Sequence, residues 1–342
     1  MPRRRPQRGA RADKLPGNLG EGGPFVFAEG TFAGSLEHPD HNEDATLILS
    51  DSRTVAVFDG LGGGERGEEA SAIARELFVM LLQNLPRDLT EEEAIAVLDR
   101  IFREADRAIV FYASQVQAMG MGTAATAVVL VNGDAPDAWR AVVGSVADTR
   151  AYLFRDGCLQ AITVDNVSGS TSEATIEEMA RIQMAWATAE QADDLFDVYE
   201  EFFAFRSINQ PLGEGTVDPR IVVVATQPGD RIILRTDGIH DNLTSGEIAV
   251  FLGGTDAEGA AAALIAGARE RSVSKHFRAK PDDMSVVFLY NSALISKPVP
   301  WSSLFLSPTH SATLPAEVRD SEEADGAAAQ TSISFHGFPP GK

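Results

Sequence analysis

Eight short β-like runs, several of them only a few residues apart, constrain this chain more than any other feature. They read ATLILS, TVAVFD, TAVVLV, WRAVVGSV, RAYLF, IVVVAT, RIILRT and MSVVFLY. A parallel crossover consumes a dozen or more residues, so the close spacing predicts antiparallel meanders. Arg155-Asp156-Gly157, between RAYLF and CLQAI, is a hairpin signature, and Gly229-Asp230 separates IVVVAT from RIILRT. Helical periodicity falls in blocks between the strands. Residues 65–84 carry Ile73, Leu77, Leu81 and Leu82 at helical spacing. Thr90 with Glu93 is a capping box that opens a helix through Ile95, Leu98, Ile101 and Phe102. A second capping box, Thr244 with Glu247, opens another, and AEGAAAALIAGARERS continues the helical pattern. Strand blocks interleaved with paired helices predict an α+β fold with helix-covered sheets, not a doubly wound parallel one.

The 342 residues carry a formal net charge of −21, which repels phosphate-rich partners and argues against nonspecific nucleic-acid or anionic-membrane binding. A phosphorylated substrate would need local positive charge, and metal ions are one supply. The single Cys158 excludes an intrachain disulfide framework. No apolar run reaches the roughly 18 residues of a membrane span. The basic opening MPRRRPQRGARADK is followed by no apolar segment, so it does not read as a secretory signal, and a cytoplasmic location is expected. Residues 1–22 are expected to be a flexible basic arm, 23–294 the folded domain, and 295–342 a mostly disordered tail rich in Pro, Ser, Thr and Ala. Within the domain, the segment 171–205 interrupts the strand pattern. Met179, Ile182, Trp186, Phe196, Tyr199 and Phe203 recur there at helical spacing, which predicts an inserted helical flap at about 166–215.

TVAVFDGLGGGERGEEAS (54–71) contains a formal G-x-G-x-x-G at Gly62, Gly64 and Gly67. A dinucleotide fold would need a second parallel strand ending in an acidic residue about 20 positions onward. Here the glycines lead to one helix, then Pro86 and a second helix, so that reading is weak. The carboxylates at strand ends are more informative. Asp59-Gly60 and Asp237-Gly238 each end one run, Asp282-Asp283 precedes another, and Asn42-Glu43-Asp44 precedes or opens a strand. Singly, each Asp-Gly reads as turn chemistry, as Asp156-Gly157 does. Together, carboxylates converging on one sheet end would repel unless protonated or bound to a cation, and hard oxygen ligands select Mg²⁺ or Mn²⁺.

HNEDA (41–45), VFDGLGGG (57–64), GTAATAVV (122–129), ADTRAYLFRDG (147–157), ILRTDGIHDNLT (233–244) and KPDDMSVV (280–287) resemble, in order, the motifs of the PP2C/PPM metal-dependent protein phosphatases over about residues 25–291. The resemblance implies a four-layer α-β-β-α sandwich: two antiparallel sheets flanked by helix pairs, with a helical flap near the active site. It implies two or three Mg²⁺ or Mn²⁺ ions. Asp59 matches the bridging carboxylate, assisted by the Gly60 carbonyl. Asp237 and Asp282 match ligands of the first metal, Glu43 a ligand of the second, Asp44 the adjacent supporting acid, and Asp148 a ligand of a third site. Asp59, Asp237 and Asp282 would then act through a water activated between the metals, hydrolysing phosphoserine and phosphothreonine in proteins. A monomer opposing a Ser/Thr kinase is implied.

Two family residues are replaced. Gly64 stands where many members place a histidine that protonates the leaving alkoxide, a loss that typically costs about 10²–10⁴-fold. Pro39, beside His38, stands where a phosphate-holding arginine is usual, and Arg66 is a substitute only if its loop folds back. Asp283, where many members have Asn, leaves the metal reading intact. The alternative expectation is a metal-binding pseudophosphatase acting as a protein-interaction module.

Overall fold

The computed structural model describes residues 11–13, 25–61, 66–133, 138–166, 173–195, 210–254 and 256–291. The strands are β1 (Arg11–Asp13), β2 (Phe25–Phe32), β3 (Asp44–Leu49), β4 (Thr54–Gly60), β5 (Thr123–Asn132), β6 (Trp139–Val146), β7 (Arg150–Arg155), β8 (Cys158–Ala161), β9 (Arg220–Thr226), β10 (Arg231–Arg235) and β11 (Met284–Asn291). They form two antiparallel sheets, ordered β1-β2-β11-β10-β7-β8 and β3-β4-β5-β6-β9. The longer helices are α1 (Gly67–Leu82), α2 (Glu91–Val116), α3 (Glu173–Thr188), α4 (Ser245–Gly253) and α5 (Ala257–Ser272), and a single helical turn, Asp237–His240, follows β10.

Three apolar layers account for the four-layer sandwich. Between the sheets lie Phe27, Val55, Val57, Val128, Leu234 and Val287. Outside one sheet, Ala56 and Phe58 of β4 pack against Ala74, Phe78 and Phe102 from α1 and α2. Outside the other, Phe288 and Val286 of β11 pack against Leu264 and Ala268 of α5 and Ile248 of α4. Because β4 is covered on both faces, its sequence reads as a continuous apolar run and not as an alternation. Strand side chains still alternate: Val55 and Val57 face the other sheet, so Asp59 continues that inter-sheet row. Rings of Phe58, Phe78 and Phe102 meet edge to face at 5.1 and 5.2 Å, fixing α1 and α2 on the sheet.

The expected helix starts are present. Thr90 and Thr244 each form the reciprocal capping box with Glu93 and Glu247. The Asp156-Gly157 turn has φ of 52° and 81°, with Arg155 opposite Cys158, as a tight hairpin requires. The meander expectation needs correction at two connections. β6 pairs with β5 and β9 while β7 pairs with β10 and β8, so the chain changes sheets after Val146. It returns to the sheet of β6 between β8 and β9 and leaves it again at Gly229-Asp230, where β9 belongs to one sheet and β10 to the other. A short link suffices because stacked sheets lie only about 10 Å apart. Strand β2 was absent from the expected runs, yet it pairs along its whole length with β11. Arg11–Asp13, inside the expected arm, forms a short edge strand opposite Phe27–Glu29. The expected tail lies outside the described residues.

Helix α3 and the 3₁₀ turn Ala192–Leu195 provide the described part of the inserted segment; Phe196, Tyr199 and Phe203 lie outside it. Ile182, Trp186, Ala189 and Leu195 form a small apolar cluster against Phe277. Arg278 ties this cluster to the body: its guanidinium is buried, donates to the carbonyls of Trp186, Ala189 and Asp241, and lies 4.9 Å from the Trp186 ring. Burial pulls its pKa down to about 10, although Asp241 opposes the shift. Arg278→Ala leaves buried carbonyls unpaired, at about 1–3 kcal/mol each. We expect a loss of about 3 kcal/mol in urea unfolding and faster proteolysis within 173–195; unchanged unfolding would refute this role.

Candidate metal centre

The two-sheet arrangement brings the strand-end carboxylates together. Asp44 at the start of β3 sits directly opposite Asp59 at the end of β4. Asp148 lies in the link between β6 and β7, Asp237 follows β10, and Asp282 precedes β11. Antiparallel pairing puts these ends at one rim of the sandwich. There a cleft of about 560 Å³ is lined by Asp59, Asp148, Asp237, Asp282, His38 and Lys280, among others. The Gly60 backbone also lines it.

The rim is held by hydrogen bonds within and between the sheets. The Thr236 hydroxyl donates to Asp44 Oδ2 at 2.8 Å and accepts from the Ser285 amide at 2.9 Å. The Asp237 amide donates to Asp59 Oδ2 at 3.3 Å. Asp283 accepts from the amides of Gly34 and Glu43 at 2.9 and 2.7 Å, so it anchors the strand that presents Glu43. Close approach explains two of the glycines. A Cβ on Gly67 would sit 2.8–3.0 Å from the Glu43 carboxylate, and one on Gly60 would meet the Gly67 backbone at 2.5 Å. Gly67 thus makes room for an acid and Gly60 for the backbone that carries Gly67, as packing requires.

Burial, then the charges of Asp44, Asp237, Asp282 and Asp148, push the Asp59 pKa well above the usual carboxylate range. Burial and then Asp283 do the same to Asp44. Asp282 is pushed up to about 6 by burial and Asp237, with Lys280 opposing. Burial also raises Glu43. Glu43 Oε2 and Asp44 Oδ1 are buried without a hydrogen-bond partner. Concentrated anionic oxygen, short of donors, suits a hard divalent cation.

Lys280, which the motif reading did not single out, supplies positive charge here. Its ammonium contacts Asp237, Asp241 Oδ2 at 3.1 Å and Asp282 Oδ2 at 2.9 Å. Its place two residues before Asp282, in an extended KPDD segment, is the signal that could have found it. Of the two replaced positions, Gly64 lies outside the described residues. Arg66 does not replace the usual arginine in the cleft: its guanidinium pairs with Glu69 of α1 at 2.9 Å. His38 does line the cleft, with Nε2 3.1 Å from Glu43 Oε2.

Two helix-flanked antiparallel sheets with a carboxylate-lined rim define the architecture of a metal-dependent phosphatase. The chain belongs to the protein phosphatase 2C family, whose model matches residues 35–268. It is 26% identical to the serine/threonine phosphatase stp of Listeria innocua over 227 residues, 65% of this chain and 81% of that protein. It is 30% identical to the serine/threonine protein phosphatase PstP of Mycobacterium tuberculosis over 205 residues, 59% of this chain but only 34% of that longer protein. A crystal structure of the Mycobacterium tuberculosis phosphatase PstP/Ppp superposes with a TM-score of 0.59 at 26% identity, covering 78% of this chain and 98% of that chain. A PstP catalytic domain in complex with 2 manganese ions has the same fold, with a TM-score of 0.59 at 24% identity over 78% of this chain and 97% of that one.

Two outcomes follow from the geometry. Gly67→Ala should push the Glu43 carboxylate aside and weaken Mn²⁺ binding about tenfold by calorimetry, with little change in unfolding; unaltered affinity would refute the contact. Asp282 keeps a proton up to about pH 6 when folded, whereas an unfolded Asp releases it near about 3.9. The folded state therefore binds the extra proton, and the apo protein loses stability as pH rises from about 4 to about 6. Mn²⁺ favours the ionised carboxylates, so the gain in unfolding free energy on adding Mn²⁺ should grow over the same window. A pH-independent gain would contradict it.

Proposed function

We propose that this chain hydrolyses phosphoserine and phosphothreonine in proteins at the carboxylate rim. The observation that carries the reading is the gathering of Asp44, Asp59, Asp237 and Asp282 at one buried rim, where burial first and then the neighbouring charges raise the Asp59 pKa well above the usual carboxylate range. Family membership and the serine/threonine phosphatase relatives support the same activity. In this reading Asp59 bridges two sites, with the Gly60 carbonyl beside it. Asp237 and Asp282 complete the first site, Glu43 belongs to the second, and Asp148 to a third. Asp44, hydrogen-bonded to Thr236, positions the neighbouring strand ends.

Bound at the rim, Mg²⁺ or Mn²⁺ supplies Lewis acidity and charge neutralisation for transfer of the phosphoryl group to water. The protein's own residues do the rest. The carboxylates fix where cations sit, and the cleft admits a phosphorylated side chain. Lys280 offers the cleft a cationic group if a divalent ion displaces it from Asp237 and Asp282. Hydrolysis of such esters presupposes a Ser/Thr kinase that installs them. The net charge of −21 is compatible with a soluble monomer, and among the described residues no helix is long and apolar enough to cross a membrane. We place the protein in the cytoplasm, with 23–294 as the catalytic unit between a basic arm and a tail.

The absence of the family's usual acid at position 64 makes the leaving group decisive. With Mn²⁺, p-nitrophenyl phosphate should be hydrolysed much faster than a phosphothreonine peptide, by on the order of 10²-fold, since only the alkoxide needs a proton. Asp59→Ala and Asp237→Asn should each abolish both activities. A wild-type protein inactive on both substrates, with Asp59→Ala indistinguishable from it, would leave the interaction-module alternative standing.

A further inference from the structure

His38, His41 and Glu43 gather beside the rim, but their ligand chemistry differs from that of the carboxylates. One ligand atom from each lies within 4.8 Å of the others. His38 Nε2 is 3.1 Å from Glu43 Oε2, and His41 Nε2 is 3.5 Å from Glu43 Oε1. The two imidazoles are stacked, with centroids 4.9 Å apart and planes at 28°. An ordinary histidine–glutamate ion pair would place a hydrogen bond on Oε2. Instead this oxygen, on a side chain only 7% exposed, has no partner in hydrogen-bond geometry although His38 is close.

We propose that His38, His41 and Glu43 form a site for a borderline transition-metal ion, for which Zn²⁺ is the best-suited species. Tetrahedral Zn²⁺ at about 2.0–2.1 Å from each ligand separates ligand atoms by about 3.3 Å. Each imidazole lies at about that distance from one oxygen of Glu43, and a set with one atom from each residue spans at most 4.8 Å, so a small inward shift of the rings would close it. Imidazole selects Zn²⁺ over Mg²⁺, which prefers oxygen and water. The outer contacts fit as well. His38 Nδ1 faces Asp283 Oδ2 at 3.6 Å and the His41 carbonyl at 3.5 Å, partners of the kind that orient a ligating ring. Glu68 Oε2, 3.6 Å from His41 Nε2, can supply a fourth donor. The His41 side chain is 43% exposed, which leaves the site open to an ion from solvent. The proposal shares Glu43 with the phosphatase reading, whereas the imidazoles serve only this site.

The test is calorimetric titration of the full chain with ZnCl₂ alone, wild type against His38→Ala/His41→Ala. Beyond any Zn²⁺ taken up at the carboxylate rim of both proteins, the wild type should bind one further Zn²⁺, at least tenfold more tightly than any ion bound by the double variant. Co²⁺ should give the wild type a visible absorption band of imidazole-ligated metal that the variant lacks. Mg²⁺ isotherms of the two proteins should superimpose, and circular dichroism should show both folded. Superimposable Zn²⁺ isotherms would overturn the proposal, as would an equal loss of Mg²⁺ binding, which would mark general damage to the rim. The phosphatase reading stands on hydrolysis and this one on binding, so failure of either is recognised separately.

Discussion

Electrostatic repulsion among carboxylates drawn out of water is the constraint on which the rest of this structure depends. Asp44 and Asp59 face each other across one sheet, and the other sheet adds Asp237 and Asp282 to the same rim. Each would be unremarkable at a surface. Gathered here, they oppose the burial that holds the sheets together, and the fold offsets this with protons, the ammonium of Lys280 and backbone amides. A divalent cation relieves the same conflict more completely. The sandwich is thus stable enough to impose a charge pattern that only a metal fully satisfies.

Much of the fold was legible because local rules decided it. The capping threonines Thr90 and Thr244 and the Asp156-Gly157 hairpin depend on near neighbours, and all are as expected. The two sheet changes made over short links were not legible, because a link such as Gly229-Asp230 serves equally a hairpin or a crossing between layers. Partner choice is set by the inter-sheet packing of residues such as Leu234 and Val287, which are distant in sequence. Strand β2 escaped notice because it precedes the recognisable motifs, although Phe25, Phe27 and Ala28 are buried.

The rim shows the same division. Carboxylates at strand ends were legible from the joint recurrence of one pattern. Lys280 and Arg278 were not, since a basic residue before an acidic pair usually indicates a solvated turn. Their importance comes from what folds against them: Asp237 and Asp241 around one, and the carbonyls of Trp186 and Ala189 around the other. His38 was visible only as the neighbour of a missing arginine and His41 only as the first residue of HNEDA, and their relation to Glu43 needed the turn that stacks them.

The clearance that Gly67 leaves for Glu43, and Gly60 for the backbone of Gly67, bears on how such a motif should be interpreted across a family. These positions are restricted by volume and need not touch a phosphate. A descendant that ceased to catalyse would still be penalised for enlarging them, as long as it kept the same rim. Glycine in this motif therefore records the inheritance of an architecture. Evidence of a retained reaction has to come from groups that a silent relative could discard without collapsing.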